Sequence, residues 1–202
     1  MSQLLQRSPK RLLRRNRFDD EKRFLRSWLE KPLSIGAVAP SSKYLAQEMA
    51  SYVDPRASGP VIELGPGTGP VTEALVGRGV EQERLVLVEY NPDFASLLKR
   101  RFPRATIVLG DAYEVGETLA GIVTAQASGI VSSLPLFTKP PEQRRDLLQA
   151  AFALMAPHAP FIQFTYAMVP PMPARALEYT AEGSERIWRN VPPARVWVYR
   201  RR

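Results

Sequence analysis

The stretch Pro60-Val61-Ile62-Glu63-Leu64-Gly65-Pro66-Gly67-Thr68-Gly69 decides the fold of this chain. Its first half is mostly apolar and predicts a buried strand, and the glycine-rich half predicts a tight turn into a helix. Glycines in such a turn let a ligand approach the backbone, and the amino end of the helix offers free N–H groups. The dinucleotide-binding pattern requires a further glycine where this chain has Pro70, so that fingerprint fails.

Strands and helices alternate along the rest of the chain. We predict further strands at 85–89, at 105–109, within 121–131, at 161–166 and at 195–199, and helices at 43–52, 70–77, 92–101 and 141–155. This alternation indicates an α/β fold, in which a mostly parallel sheet carries helices on both faces. No internal repeat or interdomain linker is visible, so we expect one Rossmann-like domain over residues 32–202.

The composition excludes several kinds of site. The chain has no cysteine and a single histidine, His158, which excludes disulfide scaffolds, cysteine-ligated metals, thiol nucleophiles and multi-histidine metal centres. We therefore expect no metal. His158 precedes the strand at 161–166, so we expect it at the edge of the sheet opposite a ligand crevice, where it is no general base. The uncharged stretches 118–138 and 150–174 are interrupted by serines or prolines and indicate buried strands and turns, not membrane spans.

The basic charge is concentrated at the N-terminus. The net charge is +8, and residues 1–18 hold six cations and no acid, namely Arg7, Lys10, Arg11, Arg14, Arg15 and Arg17. With Phe18 and Trp28 beside them, these cations predict an amphipathic helical arm over residues 1–31 that binds an anionic membrane surface. A solvated basic tail and a mitochondrial transit peptide remain alternatives.

Three acidic residues follow three predicted strands. Glu63 lies at the end of the first strand, Glu89 at the end of the second, and Asp111 just after the third. In an open parallel sheet, ligands bind at the carboxyl ends of the strands, so we expect these carboxylates to converge there. Glu89, about 20 residues beyond the glycines, suits two ribose hydroxyls. Asp111 suits an adenine amino group, and Glu63 suits an ammonium or sulfonium group.

The segment Glu63–Gly69, followed by Glu89 and Asp111, resembles the class I S-adenosylmethionine-dependent methyltransferases. That resemblance implies S-adenosylmethionine as cofactor and S-adenosylhomocysteine as its product. It also implies a cofactor site made of Glu63, Gly65, Pro66, Gly67, Thr68, Gly69, Glu89, Tyr90, Asp111, Ala112 and Ser132.

Segments 36–42, 132–137, 163–166 and 190–197, in this order, resemble the bacterial phospholipid N-methyltransferases, which convert phosphatidylethanolamine stepwise to phosphatidylcholine. This narrower resemblance implies a phospholipid substrate, no nucleic-acid partner, and a cytoplasmic protein bound peripherally to the inner membrane. The candidate catalytic residues, whose backbone carbonyls or hydroxyls would orient the amine, are Tyr44, Ser133, Leu134, Pro135 and Tyr166.

Two other functions remain open from the sequence. The related rRNA adenine dimethylases carry Asn-x-Pro-aromatic after the fourth strand, where this chain has Ser132, Ser133 and, after the proline, Leu136. The segment therefore lacks the asparagine for a base amino group and the ring on which a base stacks. An rRNA adenine N6-methyltransferase-like activity is the first alternative, and a non-catalytic, cofactor-binding membrane-surface protein is the second.

Overall fold

A seven-stranded sheet organises the computed structural model, which describes residues 42–172 and 179–202. The strand order is β3-β2-β1-β4-β5-β7-β6. Strands β1 to β5 are parallel, and β7 runs antiparallel to both β5 and β6. The strands are β1 Val61–Leu64, β2 Leu85–Glu89, β3 Thr106–Leu109, β4 Gly129–Ser132, β5 Phe161–Thr165, β6 Tyr179–Gly183 and β7 Arg195–Arg201. The predicted mostly parallel α/β sheet is thus confirmed.

The helices begin where the sequence supplies caps. They are α1 Lys43–Ser51, α2 Pro70–Gly77, α3 Pro92–Arg101, α4 Val115–Thr118 and α5 Pro141–Leu154. Ser42 caps α1 by accepting a hydrogen bond from the Leu45 N–H, and Asn91 caps α3 by accepting from Asp93 and Phe94. A proline occupies the first turn of α2, α3 and α5, where its missing N–H costs nothing.

Helices cover both faces of the sheet. On one face α1, α2 and α3 bury residues such as Leu45, Leu75 and Leu98. On the other face α4 and α5 bury residues such as Val115 and Leu148. Each fully buried side chain of this size contributes about 1.5–3 kcal/mol by leaving water. Because both faces are covered, the central strands are apolar on both sides, which explains why they were visible in the sequence.

Two elements were not predicted from the sequence. Strand β6 is mostly exposed, and its polar residues and Gly183 lack the apolar alternation of a strand. Its pairing with β7 at the edge of the sheet supplies the backbone hydrogen bonds that define it. The single-turn helix α4 is too short to leave a periodic pattern. Other strand boundaries agree with the predictions to within two residues, apart from β4, which was predicted only as lying within 121–131.

His158 lies in the turn before β5, at the amino edge of the sheet, away from the carboxyl ends of the parallel strands. Its backbone φ is 61°, the one positive value at a non-glycine residue in the described ranges. This left-handed conformation is the one that glycine adopts without steric cost. The exposed histidine therefore occupies a glycine-type turn position, at the edge of the sheet where the sequence predicted it.

The predicted arm over residues 1–31, with its six cations, Phe18 and Trp28, lies outside the described residues. So does all of segment 36–42 except Ser42. Within the described ranges, no helix has the length and apolar character needed to cross a bilayer.

Candidate active site

The crevice of this fold lies where the strand order reverses, between β1 and β4. Three backbone hydrogen bonds tie the loops together at this edge. The Gly65 N–H donates to the Val88 carbonyl (2.9 Å), the Ser133 N–H to the Leu64 carbonyl (2.9 Å), and the Gly110 N–H to the Glu89 carbonyl (3.0 Å). The structure therefore places the loops after β1, β2, β3 and β4 side by side. Glu89 ends β2 and Asp111 follows β3 at this edge, whereas Glu63 lies within β1, one residue before its end.

The glycine loop, residues 65–69, is packed against side chains at both ends and has free space at its middle glycine. Gly65, Gly67 and Gly69 all have left-handed φ values, of 69°, 58° and 87°. A Cβ atom at Gly65 would lie 3.1 Å from Leu134 Cδ2, and one at Gly69 would lie 2.8 Å from Phe102 Cε2. A Cβ atom at Gly67 would meet nothing within 4 Å. The backbone at Gly67 is therefore the part of the loop that a ligand can approach.

Glu89 fastens the glycine loop to the start of α3. Its side chain is only 6% exposed, and its two carboxylate oxygens accept from the backbone N–H groups of Gly67 and Asn91, each at 2.9 Å. Hydrogen bonds to an ionised acceptor are stronger than neutral ones. Each oxygen has a further lone pair, so the same carboxylate can also accept from ribose hydroxyls. The adjacent Tyr90 is exposed.

Glu63 is a fully buried carboxyl group with one oxygen unsatisfied. Oε2 accepts from the Thr72 hydroxyl at 2.7 Å, and Oε1 has no partner among the described residues. Burial raises the pKa of Glu63 to about 7. The Thr72 hydrogen bond opposes this rise, and the negative charge of Glu89 adds to it. An unpartnered buried carboxyl group of this kind fits a ligand cation such as an ammonium.

Thr72 was not identified from the sequence. The only signal was its position in the first turn of α2, nine residues after Glu63, on the side of the helix that faces the strand. The hydroxyl is fully buried and donates to the carboxylate, so it holds Glu63 in one orientation.

Asp111 follows β3, two strands away from the point between β1 and β4 where the strand order reverses. Its Oδ1 accepts from the Tyr113 N–H at 2.8 Å and so caps the 3₁₀ turn Ala112–Glu114, in which Ala112 is buried. The carboxylate lines a groove of about 440 Å³ together with Tyr113 and Lys139, whose Nζ lies 4.4 Å from the centre of the Tyr113 ring. This exposed carboxylate can accept a hydrogen bond from a ligand amino group, while Lys139 already covers one face of the Tyr113 ring.

In the segment after β4, internal hydrogen bonds already occupy two of the backbone carbonyls that were predicted to orient a substrate amine. The Leu134 carbonyl already accepts from Gln163 Nε2 at 3.0 Å and from the Leu136 N–H at 2.9 Å. The Pro135 carbonyl accepts from both the N–H and the hydroxyl of Thr138. Among the carbonyls predicted for this role at 133–135, only that of Ser133 is left without such internal donors. Ser132 is buried, and its hydroxyl accepts weakly from the Leu134 N–H at 3.4 Å.

Gln163 lies in segment 163–166 and was not predicted to be a site residue. It is 1% exposed in the middle of β5, and Nε2 also donates to the Phe164 carbonyl at 2.8 Å. A polar residue inside an otherwise apolar strand was the available signal. Its amide positions Leu134, whose side chain covers Gly65.

The two candidate tyrosines lie at the same edge of the sheet but in different surroundings. Tyr44 is 46% exposed, and the Arg189 guanidinium lies 5.1 Å from the centre of its ring. Tyr166 packs edge-on against Phe164, with 5.4 Å between ring centres. Helix α1, which carries Tyr44, packs against α2, which begins at the glycine loop. One face of the Tyr44 ring is thus already covered by a cation.

The chain is similar in sequence to two kinds of methyltransferase, which act on ribosomal RNA and on a lipid. The family model for ribosomal RNA adenine dimethylase matches residues 41–135. An ornithine lipid N-methyltransferase from Singulisphaera acidiphila is 33% identical over 145 residues, which are 70% of this chain and 76% of that protein. A ribosomal RNA small subunit methyltransferase A from Synechococcus sp. (strain JA-2-3B'a(2-13)) is 36% identical over 93 residues, which are 45% of this chain and 30% of that protein.

Solved structures share the fold at low sequence identity. An O-methyltransferase from Bacillus cereus in complex with SAH superposes with a TM-score of 0.58 at 12% identity, covering 95% of this chain and 93% of that one. TrmN from Thermus thermophilus superposes with a TM-score of 0.58 at 17% identity, covering 82% and 51%. The chain therefore belongs to the class I S-adenosylmethionine-dependent methyltransferases, in the family that includes the ornithine lipid N-methyltransferase. Its methyl donor is S-adenosylmethionine.

Proposed function

We propose that the chain methylates the amine of phosphatidylethanolamine stepwise, through the monomethyl and dimethyl lipids to phosphatidylcholine. The observation that carries this proposal is the residue after Pro135. Leu136 is 2% exposed and packs into the core, so no ring stands at that position to stack on a nucleobase. The relationship to a lipid N-methyltransferase supports a lipid amine as the acceptor.

In the proposed cofactor complex, each strand-end carboxylate has one role. Glu89 accepts from the ribose hydroxyls, Asp111 from the adenine amino group, and Glu63 faces the ammonium of the methionine part. The remaining contacts are assigned to the glycine loop and to the residues beside the acids, namely Gly65, Pro66, Gly67, Thr68, Gly69, Tyr90, Ala112 and Ser132. Bound in this way, the cofactor supplies a methyl group activated by a sulfonium.

The acceptor amine must reach the sulfonium unprotonated and in line with the breaking bond, so alignment and exclusion of water supply most of the rate gain. We assign alignment to the Ser133 carbonyl and hydroxyl and to the Tyr166 hydroxyl, beside Leu134 and Pro135, which shape the opening. The methylated products are cationic, and the ring of Tyr166 and the face of the Tyr44 ring opposite Arg189 hold them by cation–π contact, at about 0.5–2 kcal/mol each.

Residues 32–202 form the methyltransferase domain in this proposal, and residues 1–31 form the membrane-binding arm. Each cation near an anionic surface contributes about 1 kcal/mol, so the six in residues 1–18 suffice to localise the chain. The protein would then act in the cytoplasm, bound peripherally to the inner membrane, with no metal and no nucleic-acid partner.

Methylation of rRNA adenine is the second candidate, and the family model and the ribosomal RNA relatives favour it. The family model ends at residue 135, so it covers the cofactor half and the start of the acceptor segment. The chain spans about a third of the length of those relatives. The similarity therefore supports the common cofactor site more strongly than a common acceptor.

Transfer of labelled methyl groups separates the candidates. We expect label from S-adenosylmethionine to enter phosphatidylethanolamine in vesicles that also contain phosphatidylglycerol, and not an unmodified rRNA fragment. Vesicles of equal charge without an amine lipid are the control. Label in RNA alone would transfer the assignment to the second candidate, and label in ornithine lipid but not phosphatidylethanolamine would change the lipid substrate. Cofactor binding without label in any acceptor would favour the non-catalytic alternative.

A further inference from the structure

Two loops lie beside the crevice at the carboxyl edge of the sheet. Residues 166–172 follow β5, and residues 184–194 connect β6 to β7. Because β7 is antiparallel to β5, its first residue, Arg195, pairs with Thr165, the last residue of β5. The second loop therefore emerges next to the first, on the same side of the molecule as the glycine loop.

These two loops expose four large apolar side chains. Met168 is 64% exposed, Val169 43%, Trp188 74% and Val191 76%. A single exposed apolar residue on a protein surface is ordinary. Four on two adjacent loops indicate a surface that binds another protein or a membrane. We call these four residues the apolar edge.

Arg186 holds the two loops together. Its Nη2 donates to the Tyr166 carbonyl at 3.1 Å and to the Pro193 carbonyl at 3.0 Å, and its Nη1 lies 2.7 Å from the Met168 sulfur. The guanidinium also lies 5.9 Å from the centre of the Trp188 ring. The two loops that carry the apolar edge are thus held next to each other by the non-covalent contacts of Arg186.

The charge of the same loops selects among partners. Residues 166–172 carry no charge, and residues 184–194 carry Arg186 and Arg189 against the single acid Glu185. Arg186 is engaged with the Tyr166 and Pro193 carbonyls, so the exposed Arg189 is the cation of this loop that can meet lipid phosphates. Apolar side chains with a tryptophan among them and an exposed arginine beside them suit the head-group region of an anionic bilayer, where aromatic rings sit at the interface.

We propose that the apolar edge inserts into the head-group region of an anionic membrane and so holds the mouth of the crevice against the lipid surface. The proposal concerns residues other than those of the predicted arm at residues 1–31. It rests on the proposed function in one respect, namely that a lipid amine enters the crevice directly from the bilayer.

Because the chain has no cysteine, one introduced cysteine can carry a fluorophore at a single chosen site. Val191→Cys carries an environment-sensitive fluorophore on the full chain, and Ile122→Cys is the matched control. Ile122 is 48% exposed and lies on the segment that leads to the amino end of β4, at the opposite edge of the sheet. On vesicles of phosphatidylethanolamine and phosphatidylglycerol, we expect a blue shift and quenching by brominated lipid at position 191 and neither at position 122.

A second variant measures the strength of the contact. Trp188→Ala should weaken partitioning onto the same vesicles by about 10-fold, since a large side chain loses its apolar contact. The measurement is made at high salt, where the attraction of the arm is screened. A label at position 191 that behaves like the one at 122, or unchanged partitioning of Trp188→Ala, would overturn the proposal. Lipid methylation without insertion refutes the apolar edge alone, and insertion without methylation of any lipid refutes the proposed function alone.

Discussion

Replacing Glu89 by alanine is expected to weaken binding of S-adenosylmethionine by 100-fold or more. The substitution removes a carboxylate that accepts two backbone hydrogen bonds, from Gly67 and Asn91, and that is assigned to the ribose. Hydrogen bonds to charged groups contribute about 1.5–3 kcal/mol each, and the N–H groups of Gly67 and Asn91 lose their acceptor in a part-buried site. The glycine loop loses its link to α3 at the same time, so both the contact and the shape of the site are affected.

Isothermal titration calorimetry of wild-type protein and Glu89→Ala measures this effect. Glu81→Ala is the matched control, because Glu81 is an exposed acid that precedes β2 at its other end. We expect wild-type affinity in the control. Affinity in Glu89→Ala within threefold of the wild type would contradict the assignment of this carboxylate to the cofactor.

The affinity for S-adenosylmethionine is also expected to fall as the pH drops below about 7. Burial raises the pKa of Glu63 to about 7 in the ligand-free protein, and the ammonium of the cofactor favours the ionised carboxylate. Below pH 7 the carboxyl group must release a proton before it can pair, while the ammonium stays charged. Well below the pKa, affinity should therefore decrease about tenfold for each pH unit.

The raised pKa of Glu63 also predicts how the stability of the ligand-free protein depends on pH. Because the folded-state pKa lies above the ordinary value of 4.5, the neutral group stabilises the fold fully below pH 4.5. That contribution, about 3 kcal/mol, is lost as the pH rises through about 7. Glu63→Gln should remove this loss, so the variant should be the more stable protein at pH 8 while binding the cofactor weakly at every pH.

Calorimetry in two buffers of different ionisation enthalpy tests the linkage at pH 6, where binding should release close to one proton from the wild type and none from Glu63→Gln. Thermal unfolding of both proteins across pH 5–8 measures the stability term. Equal proton release in the two proteins would show that another group carries the pH dependence.

The predictable parts of this fold carry local signals. Strand β2 and helix α3 were predicted with their boundaries because β2 is apolar on both faces and Asn91-Pro92 is a typical helix start. Strand β6 carries no such signal, since its stability comes from pairing with β7. The periodicity of apolar residues reflects which side chains are buried, and an exposed edge strand such as β6 buries few of them.

The candidate site, like the fold, has a part that the sequence predicts and a part that it does not. The three strand-end acids could be found from spacing, because the carboxyl ends of parallel strands meet at one edge. The buried contact from Thr72 to Glu63 and the occupied carbonyls of Leu134 and Pro135 could not, since they depend on how separate elements pack. Arg186 is a further case, because one guanidinium joins two loops that are 20 residues apart.

The lipids of a bacterium that makes phosphatidylethanolamine but no phosphatidylcholine test the central claim most directly. After expression of the wild-type chain, mass spectrometry of the extracted lipids should show phosphatidylethanolamine species carrying one, two and three added methyl groups. Expression of Glu89→Ala at the same level should give none. An unchanged lipid profile from a wild-type protein that is folded and binds S-adenosylmethionine would contradict the account.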